Sequence, residues 1–424
     1  MVKLYNYVKR QKCHIQNLSS LIFVNFAVAG IGFITQLKIA NIIGKESFGM
    51  IAYGMAIATY GAVFIRFGLE KTLVRDLIQS PDHFTTTVKA SLLLRFTLLG
   101  VFLAIIFVWK LIIAPQSDLS WGVLLIVIAN SAMSVDLQAV YDSWHKMTRH
   151  SLYNLLQRGL YFAVIWTILL IAPENLSVFS VGVTTLFTVT VYLVLQYSYA
   201  IKHMPKEWGP PRYTRQAIDL GRSNFTVWLA ALLSLSFGPL NQLVLKHYHG
   251  AAELGGYAAA WLMVTLATLL FTQVARIGNP ATAKTIAGSP TKRQKSLFLL
   301  KYTLVMLSIS LPLALFAIVA PQFILEMLFH SEYVVAAPAL QVMGIYLPVF
   351  SIGLVAGQYV LAARMEKAFF YSILVGATIS ILMCPVVIPS SGAVGAAWIL
   401  LISHGASFVG HSFFVIRDVL KSPA

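Results

Sequence analysis

Apolar residues run in long, unalternating stretches from Leu18 to Ile416, interrupted by short groups of Gly, Pro and charged residues. A half-buried strand alternates apolar and polar positions, whereas a continuous apolar run of about 20 residues suits a helix crossing a hydrocarbon core of about 30 Å. A segment in lipid must satisfy its own backbone hydrogen bonds, which leaves helices or a closed barrel. The absence of alternation selects helices. The pattern predicts spans near 18–43, 47–69, 88–109, 120–143, 152–172, 177–200, 223–245, 254–278, 298–320, 336–362, 368–388 and 392–416. The fold class is therefore an all-α polytopic membrane protein of about twelve transmembrane helices.

The pattern also repeats. Thr35-Gln36-Leu37 with Gly44 and Gly49 matches Asn241-Gln242-Leu243 with Gly250 and Gly255 at one constant offset. Arg66-Phe67-Gly68 matches Arg276-Ile277-Gly278, and Asn25-Phe26 matches Asn224-Phe225, with drifts of about one and two helical turns that keep each residue on its face. Six spans per half make these parallel repeats about an axis along the membrane normal, that is, two six-helix bundles. The expected organisation is a basic cytoplasmic tail at 1–17, a first bundle at 18–200, a cytoplasmic linker at 201–222, a second bundle at 223–416 and a tail at 417–424. Pro205, Pro210 and Pro211 stiffen the linker. A basic loop is expected over 279–295, an interfacial segment over 322–333 outside, and a bend at Gly238-Pro239.

Composition agrees. Only 11% of the 424 residues are charged and 58% are hydrophobic, against about 25% charged in an ordinary soluble domain. A net charge of +16 would suggest nucleic acid in a soluble protein, but here topology accounts for it and no nucleic-acid partner is expected. With both termini cytoplasmic, only Lys45, Lys110 and Lys246 of the 31 Lys and Arg fall on outer loops, as the positive-inside rule requires. Lys3, Lys9, Arg10 and Lys12 precede a first helix that reads as a retained anchor. Cys13 and Cys384 imply neither a disulfide nor a metal site.

Several stretches carry a resemblance. Gly44-Lys-Glu-Ser-Phe-Gly49, with a second helix ending Arg66-Phe-Gly-Leu-Glu-Lys-Thr-Leu-Val-Arg75, resembles the opening hairpin of Wzx-type polysaccharide flippases. Tyr141-Asp-Ser-Trp-His-Lys-Met-Thr-Arg149 resembles the loop after their fourth helix. Phe329-His-Ser-Glu-Tyr-Val-Val-Ala-Ala resembles the segment before their tenth, and Gly392-Ala-Val-Gly395-Ala-Ala the start of their last. These motifs are shared across the multidrug/oligosaccharidyl-lipid/polysaccharide superfamily. The resemblance implies a MATE-like fold around a central cavity, alternating access, and an undecaprenyl-pyrophosphate-linked oligosaccharide as cargo. It also implies the bacterial inner membrane, a role in O-antigen or similar lipopolysaccharide biosynthesis, and polysaccharide polymerase and chain-length machinery as partners. Family members often carry an acidic residue where this chain has Arg66.

A central Arg or Lys costs about 2.5–3.5 kcal/mol on insertion scales, so charges inside spans carry functional information. On the architecture implied by the resemblance, Arg66 and Arg276 line the cleft at repeat-related positions, where planar guanidinium forks suit a pyrophosphate. Lys38 lies deeper and is placed to take over the head group. The competing reading is that these side chains snorkel to the interface, which is the expected fate of Arg95. Asp136 and Arg158 sit roughly 15 Å either side of the turn near Thr148, at matching depth. They form either a buried ion pair or, in the case of Asp136, a proton or sodium coupling site. Asn25, Gln36, Asn224, Asn241 and Gln242 are candidates for sugar hydroxyls or for interhelical hydrogen bonds. His404 and His411 read as packing residues.

Two other readings remain. A MATE-like ion-coupled antiporter of small cationic molecules favours acidic lumen residues, whereas this sequence offers basic ones. A membrane-embedded polyprenyl-linked glycosyltransferase needs clustered carboxylates, whereas Glu46, Asp118, Glu174, Glu253, Glu326 and Glu332 are dispersed singly on short outer segments. No catalytic residue, metal site or cofactor is expected, and energy comes from a proton, sodium or substrate gradient.

Overall fold

A computed structural model describes residues 2–79, 83–113, 119–204, 213–288 and 291–422, with only the backbone described over 2–25 and at 71, 113, 277, 280, 284 and 287. Its helices are α1 (Val2–Arg66), α2 (Leu69–Gln79), α3 (Phe84–Val108), α4 (Trp121–Ala132), α5 (Gln138–Ser143), α6 (Met147–Ile171) and α7 (Val178–His203). They continue with α8 (Tyr213–Ser234), α9 (Pro239–Ala287), α10 (Lys292–Val319), α11 (Pro321–Leu328), α12 (Ala337–Ala362) and α13 (Glu366–Leu420). Among the described residues nine helical stretches are long and apolar enough to cross a membrane.

Three of those stretches are too long for one crossing. The 55 residues of α13 would extend about 80 Å if straight. Glycine breaks each: Gly44 in α1 (φ 78°), Gly250 in α9 (φ 83°) and Gly392 in α13 (φ 51°). Positive φ is cheap only for Gly, so each apolar run divides where the sequence supplies one. Phe369 and His411, on opposite sides of Gly392, stack at 5.1 Å, so α13 doubles back on itself. With α8 completing the leg before Gly250, nine stretches and three breaks give twelve crossings, as the hydrophobic pattern predicts. The chain is an all-α, multi-pass membrane protein.

The chain divides into two compact units, Met1–Lys38 with Ala58–Leu229, and Ile39–Ile57 with Ala230–Ala424. This division differs from a cut at the linker, because the hairpin around Gly44 packs with the second unit. Residues 205–212 of the expected linker lie outside the described residues. Residues 213–222 are helical, with Ala217 and Leu220 buried, so α8 starts about three turns earlier than the apolar run suggests.

In the first unit, α7 packs on α4 through small residues. A Cβ on Gly122 would lie 2.6 Å from the Phe179 amide, and one on Gly182 would lie 2.6 Å from the Gly122 carbonyl, so only glycine permits this approach. Ser177 and Ser180 form a capping box that starts α7. Leu69, Leu73 and Leu77, spaced four apart on α2, bury with Phe84, Val88, Val140, Tyr141 and Leu220.

In the second unit, α12 is the most buried helix and packs against α9, α10 and α13. A Cβ on Gly49 would clash with the Ala251 carbonyl and one on Gly255 with the Lys45 carbonyl. The repeat pairs Gly49 with Gly255 and Lys45 with Ala251, so equivalent residues meet reciprocally, as a duplicated hairpin should. Gly238 (φ −135°, ψ −62°), after the 3-10 turn Leu235–Phe237, interrupts the seventh crossing at the expected bend. The segment expected along the outer interface exposes Phe323 and Met327 and is anchored at its C-terminal end to the hairpin around Gly44. The Tyr333 hydroxyl donates to the Ala40 carbonyl at 2.8 Å, Asn41 Nδ2 to the Leu328 carbonyl at 2.9 Å, and the Lys45 amide to Glu332 Oε1 at 3.0 Å.

Candidate functional site

The principal charged site grows from a failure of helix geometry. α4 ends at Ala132, passes through the 3-10 turn Met133–Val135, and leaves helical conformation at Asp136 (ψ 162°) before α5 begins at Gln138. Such a break strands backbone groups inside the protein, and each must find a partner. Side chains supply them. Tyr197 donates to the Val135 carbonyl at 2.7 Å, Arg95 Nη1 to the Asp136 carbonyl at 3.0 Å, and the Leu137 amide to Gln196 Oε1 at 3.0 Å. The Asp136 carboxylate accepts from the Gln138 amide at 3.3 Å and faces Arg66 Nη2 at 3.9 Å.

Arg66 also donates to Glu70, one turn along, at 3.0 Å. Arg66, Glu70, Arg95, Asp136, Gln138, Ala139 and Asp142 line a cavity of about 260 Å³ in the first unit. Two guanidinium groups there meet three carboxylates. Arg95 is only 4% exposed, and its Nε has no partner among the described residues.

This geometry corrects two expectations. Asp136 takes Arg66, and Arg158 lies beside Tyr161 and Tyr192 instead. Matched depth requires a rise of 1.5 Å per residue through to the turn, and the break at Asp136 interrupts that rise. Arg95 does not snorkel. It folds back into the break and hydrogen-bonds main chain, and the sequence signal was only its place inside an apolar run. Glu70 and Asp142 were missed as site residues, although the Arg66–Glu70 spacing of four is readable on any helix.

The second unit holds Arg276 near the end of α9, exposed to a cavity of about 280 Å³ lined by Thr272, Gln273, Asn279 and Gln358. No salt bridge among the described residues joins Arg276 to a carboxylate. Gln358 accepts from the Tyr302 hydroxyl at 2.7 Å and lines the same cavity. Lys38 is exposed on α1, with no salt bridge among the described residues.

The amide candidates separate by burial. Asn224 is buried, accepts from Thr72 at 2.7 Å and donates to the Leu220 carbonyl at 2.9 Å, so it ties α2 to α8. Asn241 is buried, donates toward the Phe237 and Ala396 carbonyls and accepts from Cys384 at 2.9 Å. Both are used up in interhelical bonding. Gln36 and Gln242 are half-buried, and the side chain of Asn25 lies outside the described residues.

Known proteins agree with this architecture. The family model described as polysaccharide biosynthesis protein matches residues 14–276. The chain belongs to the polysaccharide biosynthesis protein family. No curated protein sequence matches it. Among solved structures, a lipid II flippase MurJ in an inward closed conformation superposes with a TM-score of 0.72 at 13% identity, covering 95% of this chain and 89% of that one. An inward-facing multidrug resistance MATE family transporter of the MOP superfamily gives 0.62 at 12% identity, covering 95% and 94%. A MOP superfamily transporter from Pyrococcus furiosus, described as having a binding pocket of reversed polarity, gives a TM-score of 0.55 at 12% identity, covering 95% of this chain and 94% of that one. At these identities the likeness establishes the fold, which is that of MOP superfamily transporters.

Proposed function

We propose that this family member is a flippase that carries an undecaprenyl-pyrophosphate-linked oligosaccharide across the bacterial inner membrane by alternating access, for O-antigen or a related surface polysaccharide. The observation that carries this reading is membership of a polysaccharide biosynthesis family on a transporter fold. Arg276, free of carboxylates among the described residues, is the first anchor for the pyrophosphate. Arg66 is a second, released by exchange: its pair with Glu70 is 37% and 51% exposed, and such surface pairs are worth about 0–1 kcal/mol. Lys38 offers a mobile point charge, and Gln36 and Gln242 offer hydrogen bonds to sugar hydroxyls. Deletion of the gene should accumulate undecaprenyl-linked oligosaccharide on the cytoplasmic leaflet, read by lipid extraction and mass spectrometry. Unchanged lipid-linked glycan pools together with normal surface polysaccharide would sink the proposal.

Both termini are placed in the cytoplasm on the strength of the Lys and Arg asymmetry. A reporter fused after Trp208 should score cytoplasmic and one after Asn175 extracytoplasmic, and a swapped pair would reverse the topology.

One observation favours a second reading, an ion-coupled antiporter of small cations. Carboxylates outnumber guanidinium groups in the Arg66 cavity. Export of a fluorescent organic cation in proteoliposomes, driven by a proton or sodium gradient, would select it.

A further inference from the structure

Where a glycine of positive φ divides a helix, the second leg starts afresh, and its first backbone N–H groups have no acceptor within the helix. At Gly44 and at Gly392 a carboxylate from another element supplies one. The Lys45 amide donates to Glu332 Oε1 at 3.0 Å, and the Ala393 amide donates to Glu253 Oε1 at 2.9 Å. A negative charge at a helix N-terminus also gains from the helix dipole.

The two caps are built differently. Glu253 is half-buried, and a Cβ on Gly392 would clash with its carboxylate and lie 3.6 Å from the His249 ring. His249 Nε2 in turn donates to the Ile388 carbonyl at 2.8 Å, so the turn between the last two crossings is fixed on both sides. Glu332 is exposed, on the 3-10 turn Ser331–Ala336, and a Cβ on Gly44 would still stand 3.7 Å from its carboxylate. Water reaches this carboxylate, whereas protein closes round the other.

The Glu332 cap also holds a movable part. The hairpin tip, Ile39–Ile57, belongs to the second unit, whereas the residues before and after it belong to the first. The tip is tied to the segment 328–333 through the Lys45 amide on Glu332, Asn41 on the Leu328 carbonyl, and the Tyr333 hydroxyl on the Ala40 carbonyl. Two of these acceptors are main-chain carbonyls, which physiological pH does not alter. The third is a carboxylate.

We propose that Glu332 is a proton-operated latch on the hairpin tip, shut while its carboxylate is ionised and released when the outer face is acidified. Protonation removes the charge that strengthens the amide bond and that the helix N-terminus favours. The inference goes beyond the flippase reading; it uses the topology proposed above, which puts the tip outside, and no particular cargo. The other ionisable groups around the latch are Lys45 and Glu46 on the hairpin, His330 on the same segment and Glu326 on α11. From α9 come Lys246, His247, His249 and Glu253, and the first two turns of α12 carry none.

The test reads access to Ala40, which is fully buried beside the latch. Ala40→Cys in the full chain, which keeps the main-chain carbonyl that Tyr333 holds, is labelled in spheroplasts with a membrane-impermeant maleimide. Asn175→Cys, exposed on an outer loop, corrects for slower thiol chemistry in acid, because the thiolate is the reacting form. The chain without an introduced cysteine gives the background. Labelling of Ala40→Cys relative to Asn175→Cys should rise about tenfold as the outer pH is lowered, the worth of one charge-assisted hydrogen bond. Glu332→Gln, which keeps the shape and loses the charge, should label fast at neutral pH and respond to acid no further. Glu253→Gln and His330→Gln should keep the wild-type response. Bridging Asn41→Cys to Leu328→Cys with a bifunctional maleimide should stop export, because the tip can then not leave. Labelling that ignores both acid and Glu332→Gln would overturn the proposal, as would a response that survives Glu332→Gln or disappears in His330→Gln. Export that continues through the bridge would overturn it too. A tip that opens in acid, in a protein whose deletion leaves lipid-linked glycan pools unchanged, would uphold the latch and reject the cargo. A tip that stays shut, alongside accumulated glycan, would do the reverse.

Discussion

Arg276→Ala is expected to reduce surface glycan export about ten- to hundredfold while membrane levels of the protein stay at wild type. Hydrogen bonds to charged groups contribute about 1.5–3 kcal/mol, and each 1.4 kcal/mol is a factor of ten. The side chain is exposed to its cavity, and no carboxylate among the described residues shares it, so its removal strands no partner and the fold should tolerate it. Arg276→Lys should recover only part, because an ammonium lacks the planar fork that grips two phosphate oxygens. Export at the wild-type level in Arg276→Ala would show that the side chain merely reaches for the interface. The repeat-related Arg66→Ala should reduce export less cleanly and lower yield slightly, because it also leaves Glu70 and Asp136 facing each other without their cation.

That difference between two repeat-related arginines was not legible in the sequence. The tripeptides Arg66-Phe67-Gly68 and Arg276-Ile277-Gly278 match, and the twelve crossings, the glycine breaks at Gly44 and Gly250, and the bend at Gly238 all follow from residue pattern. Pattern works there because length against bilayer thickness and the conformational freedom of glycine are local properties. Ion pairing is not local. Glu70 stands one turn from Arg66, but the helix after Arg276 continues to Ala287 with no acid, and the apolar period does not report where it stops. Asp136 is the clearest case. Its matched depth with Arg158 holds only on an ideal helix, and nothing in Ser134-Val135-Asp136-Leu137 announces a break, since it contains no Gly or Pro. The break is held by Tyr197, Gln196 and Arg95 from elsewhere in the chain, and only the fold brings them there.

Arg95 is therefore the residue whose replacement should cost most in both stability and transport. A buried guanidinium costs several kcal/mol to desolvate, but removing one partner of a buried charge set while the others remain costs about 3–5 kcal/mol. Arg95 Nη1 is the partner of the Asp136 carbonyl in the break, and the guanidinium shares its cavity with the carboxylates of Asp136, Glu70 and Asp142. Arg95→Met should accordingly lower the folded yield by leaving that carbonyl without its donor, and nearly abolish export by removing the positive charge that balances the three carboxylates. Asp136→Asn tests the same balance from the other side. If Asp136 is the coupling group, the variant should fold and bind cargo while export no longer responds to collapse of the proton or sodium gradient. The exchange Arg66→Asp with Asp136→Arg should recover part of what each single change loses, whereas exchanging Asp136 with Arg158 should recover nothing, since Arg158 lies beside tyrosines. Normal export from Arg95→Met, or recovery by the Arg158 exchange, would remove the charged break from the mechanism and return Asp136 to the partner that helical depth predicts.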